Sequence, residues 1–396
     1  MTSTARATDT GNLVLFVVGL ISLVTVILGV LLFGVLGLVS AAAGEGESAM
    51  FTAWTMSGLI VLAAALLPGM YWSGRAILGL PIPAARVPAT IWLALLVGYP
   101  ACLGLGALAF NEARGVSILG PLALMGTAVV PVAAVAWLVR RLGPPLTPTR
   151  AWGHFTIGLT AMPLTALIVE FVAIMPLLLA AGFWLIGSAE GDALLAMMEQ
   201  GTVPDPEISL ELATQLLRSP LAIAAAYGYL AVVIPILEET IKTMAVWPFL
   251  RRGLAPAEAF LGGALGGAGY GLFEALFLTQ PGEGWVMTTI ARSGATILHV
   301  FTAALTSWGL MEGVRRRRYA LMAVTFVAGL AMHAAWNAAA VTIGIVSFPI
   351  EGVGPSGLEG LAALAPVLLT GLIALSAAGL TLGWRRLAAQ TNEPTP

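Results

Sequence analysis

The sequence predicts an all-α polytopic transmembrane helix bundle of about ten spans with both termini cytoplasmic. Three observations carry that prediction. Hydrophobic residues make up 59% of the 396 and charged residues 10%, for a mean hydropathy of +0.94. Several apolar runs exceed the ~20 residues needed to cross a ~30 Å hydrocarbon core. The arginines collect on one side of those runs. This composition excludes a soluble globular protein, and the runs with their short connections leave no room for a soluble domain. A single cysteine, Cys102, excludes an internal disulfide and a cysteine-built metal cluster. The net charge of −2 says little, because asymmetry between loops sets orientation. Nothing points to a nucleic-acid partner; the lipid bilayer is the expected surroundings.

Arg6 precedes an apolar run from about Leu13 to Val39, longer than the ~7–15 residues of a signal-peptide core, so the run reads as the first span. The spans are expected at about 13–42, 51–72, 89–110, 117–139, 155–187, 219–250, 256–280, 293–313, 319–346 and 361–384. Arg6, Arg75, Arg86, Arg140, Arg141, Arg150, Arg251, Arg252, Arg315 to Arg318, Arg385 and Arg386 then share one face of the membrane. Only Arg114, Arg218 and Arg292 fall opposite. Positive charge stays inside, which makes the first face cytoplasmic. The longest connection, with Glu190, Asp192, Glu199, Asp205, Glu207 and Glu211, lies on the other face.

Spans 1–4 carry no ionisable residue well inside the membrane. A Pro-rich cytoplasmic stretch, Gly143 to Thr149, separates them from spans 5–10. Residues 1–154 therefore read as a four-span accessory module and 155–396 as a six-span core. No internal repeat is evident, which counts against an inverted-repeat transporter.

The polar chemistry is concentrated in that core. Lys242, the only lysine, follows Glu238 by four residues and Glu239 by three, so all three share a helical face. Each ionisable group costs at least ~2.5–3.5 kcal/mol at the centre of a membrane helix, so three within five residues imply a function. Adjacent carboxylates in a low dielectric repel, and an ammonium beside them holds one ionised. That arrangement yields a general base in a dry site. Pro235, just upstream, is placed to kink the helix and free carbonyls.

The next span contains Gly263, Gly267 and Gly271, the four-residue spacing that lets helices approach closely, leading onto Glu274. His299 lies in the following span. His333 and Asn337, with Trp336 between them, lie one turn apart on span nine. At 1.5 Å per residue, Glu238 is ~20 Å from Arg251, Glu274 ~27 Å from Pro256, His299 ~24 Å from Arg315 and His333 ~22 Å from Arg318. The four reach similar depth and are expected to form one site.

Glu-Glu-x-x-Lys at Glu238, then Tyr270-x-x-x-Glu274 after glycines, then His299, then His333-x-x-Trp336-Asn337, resembles the PrsW family of intramembrane proteases. That family is allied to the CAAX-prenyl and bacteriocin-processing membrane endopeptidases, whose related pattern is Glu-Glu-x-x-x-Arg, Phe-x-x-x-His and His-x-x-x-Asn/Asp. The match covers about residues 155–350 and leaves spans 1–4 outside. One departure is Ala275, where such sequences often have Asn; it bears on substrate choice.

The resemblance implies a multi-pass protein of a prokaryotic plasma membrane that cuts membrane-anchored proteins or peptides, such as an anti-sigma factor or a peptide under maturation. It implies Glu238 as general base, Glu239 as its partner and Lys242 as the group that holds the pair. Glu274 would orient the water, His333 and Asn337 would donate to the oxyanion, and His299 would be a ligand of the site or a donor behind it. No cofactor is favoured, and Zn is possible. The alternative is Zn²⁺ on His299, His333, Glu238 and Glu274, although HExxH is absent.

Blander readings stand beside these. Glu238, Glu239 and Lys242 also fit a structural ion pair, His299 an interhelical hydrogen bond, and Trp336 packing. Glu170 reads as packing and His154 as incidental to a cytoplasmic loop. A proton-coupled transporter and a catalytically silent scaffold remain the competing functions.

Overall fold

The computed structural model describes residues 10–82, 89–111, 116–142, 146–185, 217–250, 254–279, 281–282, 284–347 and 358–391, with isolated residues between 192 and 214. Helices occupy all ten expected span positions, and the described residues contain no strand. Glu190, Glu199, Asp205, Glu207 and Glu211 lie outside the described residues, as do residues 143–145 of the linker and Arg6, Arg86, Arg114, Arg251 and Arg252.

The helices are α1 (Thr10–Ala42), α2 (Gly46–Ile77), α3 (Ala89–Asn111), α4 (Val116–Leu142), α5 (Pro148–Leu159) and α6 (Ala161–Leu185). They continue with α7 (Pro220–Tyr227), a π-helical stretch (Gly228–Val233), α8 (Ile234–Lys242), a 3-10 turn (Thr243–Ala245) and α9 (Trp247–Leu250). Last come α10 (Pro256–Phe277), α11 (Trp285–Arg316), α12 (Tyr319–Val346) and α13 (Leu358–Thr391). Eight helical segments are long and apolar enough to cross a membrane, and the shorter apolar stretches Leu96–Phe110 and Ile118–Ala134 fall at the third and fourth positions. The chain is an integral multi-pass membrane protein.

Three expected spans differ in detail. The fifth starts early, capped by the Thr147 side chain, and is broken at Thr160 into α5 and α6. Pro163 lacks the N–H due at the Leu159 carbonyl, so the ladder stops there. The sixth is interrupted by the π and 3-10 stretches. The eighth begins at Trp285, which brings Arg292 two turns inside a helix rather than into a loop.

The chain divides into two compact units, residues 1–164 with 241–329 and 373–396, and residues 165–240 with 330–372. In the first unit α10 is the central helix, touched by α2, α4, α5, α11 and the 3-10 turn. Between Ala257 and Leu276 every residue but Glu258 and Phe273 is buried. Glycine makes this possible. A methyl on Gly263 or Gly267 would overlap the Ala303 or His299 carbonyl of α11, and one on Gly271 would lie 2.8 Å from the Thr296 side chain. A second glycine face, Gly262, Gly266 and Gly269, lies as closely against His154, Ala245 and Phe155.

The arginine run also has a structural part. Helix α11 ends with Arg317 left-handed (φ 58°) and the Arg318 N–H bonded to the Glu312 carbonyl, a Schellman-type stop. The buried Glu312 carboxylate accepts from Arg316 at 3.0 Å and Arg318 at 3.2 Å.

Candidate active site

The second unit brings Glu238, Glu239 and His333 together, at 5%, 0% and 2% exposure. His333 Nδ1 is 3.0 Å from Glu239 Oε1, and His333 Nε2 is 3.8 Å from Glu238 Oε2. The first distance is a hydrogen bond; the second is too long for one and short enough for a single water to touch both atoms. A carboxylate fixed on Nδ1 sets the ring plane.

Asn337, one turn beyond His333, donates from Nδ2 to the Leu230 carbonyl at 2.8 Å, inside the π-helical stretch. Where a kink was expected at Pro235, a π-helical stretch ends two residues before the proline. In the same unit Tyr229 donates to the Glu170 backbone carbonyl at 2.8 Å, and Tyr227 and Thr342 hydroxyls are 2.6 Å apart. Trp336 is buried.

The first unit holds a different cluster. Lys242 Nζ is 2.7 Å from His299 Nδ1, and His299 Nε2 is 2.9 Å from Glu274 Oε2. An ammonium only donates, so Nδ1 accepts and Nε2 carries the proton given to Glu274. Arg292 reaches the same Glu274 oxygen at 3.4 Å. The Tyr270 ring meets His299 edge-on at 5.4 Å, with Lys242 Nζ 5.5 Å from its centroid. Close packing of α10 on α11 at Gly267 and Gly271 sets Glu274 against His299.

Tyr270 and Arg292 were not among the expected site residues. Tyr270 had a signal, one turn before Glu274; Arg292 had a weaker one, as one of three arginines on the sparsely charged face. His154 is a correction. Far from lying beside a loop, it is fully buried in α5, with Nδ1 2.7 Å from the Ala245 carbonyl and its ring 4.2 Å from that of Phe249. Loop assignment failed because the helix begins seven residues earlier than hydropathy alone indicates.

A polytopic helix bundle with carboxylates, imidazoles and an ammonium buried among apolar helices is the architecture of a protein that does ionic chemistry inside the bilayer. The family model of the PrsW family intramembrane metalloproteases matches residues 149–353, just over half of the chain. The chain belongs to that family and is a membrane protease. No curated protein and no solved structure matches it.

The family name implies a metal ion, and two residues fit one. Imidazole nitrogen and carboxylate oxygen are zinc donors, and ligands of a tetrahedral Zn²⁺ stand roughly 3.4 Å apart, close to the Glu238–His333 spacing. The Glu239 carboxylate on the other ring nitrogen is the usual support of a metal-binding histidine. His299 fits less well, because both its nitrogens are engaged with Lys242 and Glu274.

Proposed function

We propose that the protein is an intramembrane endopeptidase hydrolysing peptide bonds of membrane-anchored proteins or peptides, with Glu238 as general base. The Glu238–Glu239–His333 set carries this reading: two adjacent carboxylates and an imidazole, buried in an apolar bundle, with the Nε2 to Oε2 interval sized for a water. Glu238 takes a proton from that water as its oxygen attacks the scissile carbonyl carbon. His333, oriented by Glu239, donates to the oxyanion, a contact of the kind worth ~3–4 kcal/mol. The proton on Glu238 then passes to the leaving amine as the C–N bond breaks.

Glu274, with His299 and Lys242 behind it, helps to orient the water. Two facts support its participation: the family motifs occur in order, and one helix, α8, carries both Glu238–Glu239 and Lys242. Residues 155–396 act as the catalytic core and 1–154 as an accessory module. Both termini lie in the cytoplasm of a prokaryotic cell, and cleavage falls in the outer half of the bilayer. An anti-sigma factor or a precursor of a secreted peptide suits such a site.

A second reading is favoured by the family name and by the Glu239–His333 bond: Glu238 and His333 as ligands of Zn²⁺, joined by Glu274 or His299. Zn²⁺ there would supply Lewis acidity that makes water nucleophilic near neutral pH.

Mass spectrometry of membrane-protein N-termini, in cells expressing wild type or E238Q/E239Q at matched levels, tests the proposal. New N-termini at the outer edge of single-span proteins with wild type alone support it. Identical profiles sink it and favour a scaffold, or a proton-coupled transporter if function then collapses with the pH gradient. Purified enzyme that keeps its activity in 1,10-phenanthroline favours the glutamate mechanism; loss restored by Zn²⁺ favours the metal.

A further inference from the structure

The π-helical stretch before Pro235 leaves a backbone acceptor whose usual donor does not exist. A π helix bonds each N–H to the carbonyl five residues back. The Ile234 N–H does this, bonding the Tyr229 carbonyl. The next bond in that register would run from residue 235 to the Leu230 carbonyl, and residue 235 is proline. The donor that meets the Leu230 carbonyl is the Asn337 side chain, at 2.8 Å. In hydrocarbon no water is available to take its place. Four residues before Asn337 on α12, His333 bonds Glu239 of α8.

We infer that Asn337 is a positioning residue: it replaces the N–H that Pro235 lacks and thereby holds α12 in register with α8, with His333 on Glu239. This role differs from the oxyanion donation its motif implies, and as a contribution to catalysis it rests on the protease reading above. The π turn needs Asn337 only because of Pro235. A residue with an N–H at 235 makes Asn337 dispensable, whereas an oxyanion donor would stay essential whatever stands at 235.

The test is a second-site rescue in the full-length protein, read by cleavage of a substrate from the N-terminal profiling and by hydrogen exchange of peptides covering 228–236. Asn337→Ala is expected to lower cleavage about tenfold and to speed exchange across 228–236 by a similar factor. Pro235→Ala stays active, and the Pro235→Ala/Asn337→Ala double variant returns to the level of Pro235→Ala in both readouts. A cleavage defect of undiminished size in the double variant overturns the inference while leaving the protease reading intact. Absence of cleavage by wild type defeats the protease reading instead, and the exchange measurement then decides the positioning role alone. If Pro235→Ala does not accumulate, unchanged exchange in Asn337→Ala overturns the inference and accelerated exchange upholds it.

Discussion

The two buried clusters use the same residue types at different spacings. Around Glu274, two cations, Lys242 and Arg292, and an imidazole surround one carboxylate, linked by contacts of 2.7, 2.9 and 3.4 Å. Around His333, the Glu239 carboxylate is 3.0 Å from one ring nitrogen and the Glu238 carboxylate 3.8 Å from the other. A carboxylate enclosed by hydrogen-bonded and cationic neighbours stabilises a packing arrangement. A carboxylate at water-bridging distance from an imidazole is placed to take a proton from that water. On the function proposed above, the difference separates reacting groups from supporting groups, and it predicts which substitutions damage chemistry and which damage the fold.

The largest effect should come from Glu238→Gln. The amide keeps the shape of the side chain and removes the base, so cleavage should fall by about 10²–10⁴-fold with the melting temperature in detergent unchanged. A melting temperature that drops in step with activity would make Glu238 a structural group and erase the distinction between the clusters.

Lys242→Met should do the reverse. Removing a fully buried ammonium takes away the donor on His299 Nδ1, and breaking a buried pair costs about 3–5 kcal/mol. With the ammonium gone, Glu274 keeps only its His299 bond and the longer Arg292 contact, so Lys242→Met/Glu274→Gln should recover part of the loss, a coupling that a thermal double-mutant cycle measures. Strict additivity would show that the Lys242–His299–Glu274 chain does not act as a unit.

Much of this was legible in the sequence, and the failures share a cause. Hydropathy placed helix at each expected span position, because a membrane span must be apolar and helical whatever its neighbours are. The four-residue glycine spacing gave the α10–α11 approach. Hydropathy is blind, however, to a break that keeps the composition apolar, so the end of α5 at Thr160 and the π stretch at Gly228–Val233 went unseen. Helix period put Glu238, Glu239 and Lys242 on one face but could not say which groups other helices present to that face. That Lys242 bonds His299, and His333 bonds Glu239, depends on how the helices pack. The second glycine face, Gly262, Gly266 and Gly269, was hidden inside the first, and with it the burial of His154.

Gly267→Ala tests whether the supporting cluster depends on that close packing. The added methyl would overlap the His299 carbonyl and stand 2.9 Å from Val300 Cα, backbone that cannot swing aside. Overpacking of this kind costs about 1–3 kcal/mol, so a lower melting temperature and a partial loss of cleavage are expected. Gly344→Ala on α12, where the methyl meets nothing within 4 Å, should leave both unchanged. Equal behaviour of the two variants would remove the packing argument.

Arg292→Met should have the smallest effect, and its size indicates how self-sufficient the supporting cluster is. The Arg292 side chain is 34% exposed and its contact to Glu274 is 3.4 Å, long for a charge-assisted bond. Partly exposed pairs contribute about 0–1 kcal/mol, whereas the same Glu274 oxygen is held at 2.9 Å by a buried imidazole. With His299 and Lys242 in place, loss of the guanidinium should shift melting only slightly and change cleavage by less than about threefold. A loss approaching that of Glu238→Gln would mean that Arg292 acts on the reaction itself. The supporting cluster would then reach the substrate, and the division of labour between the two clusters would have to be redrawn.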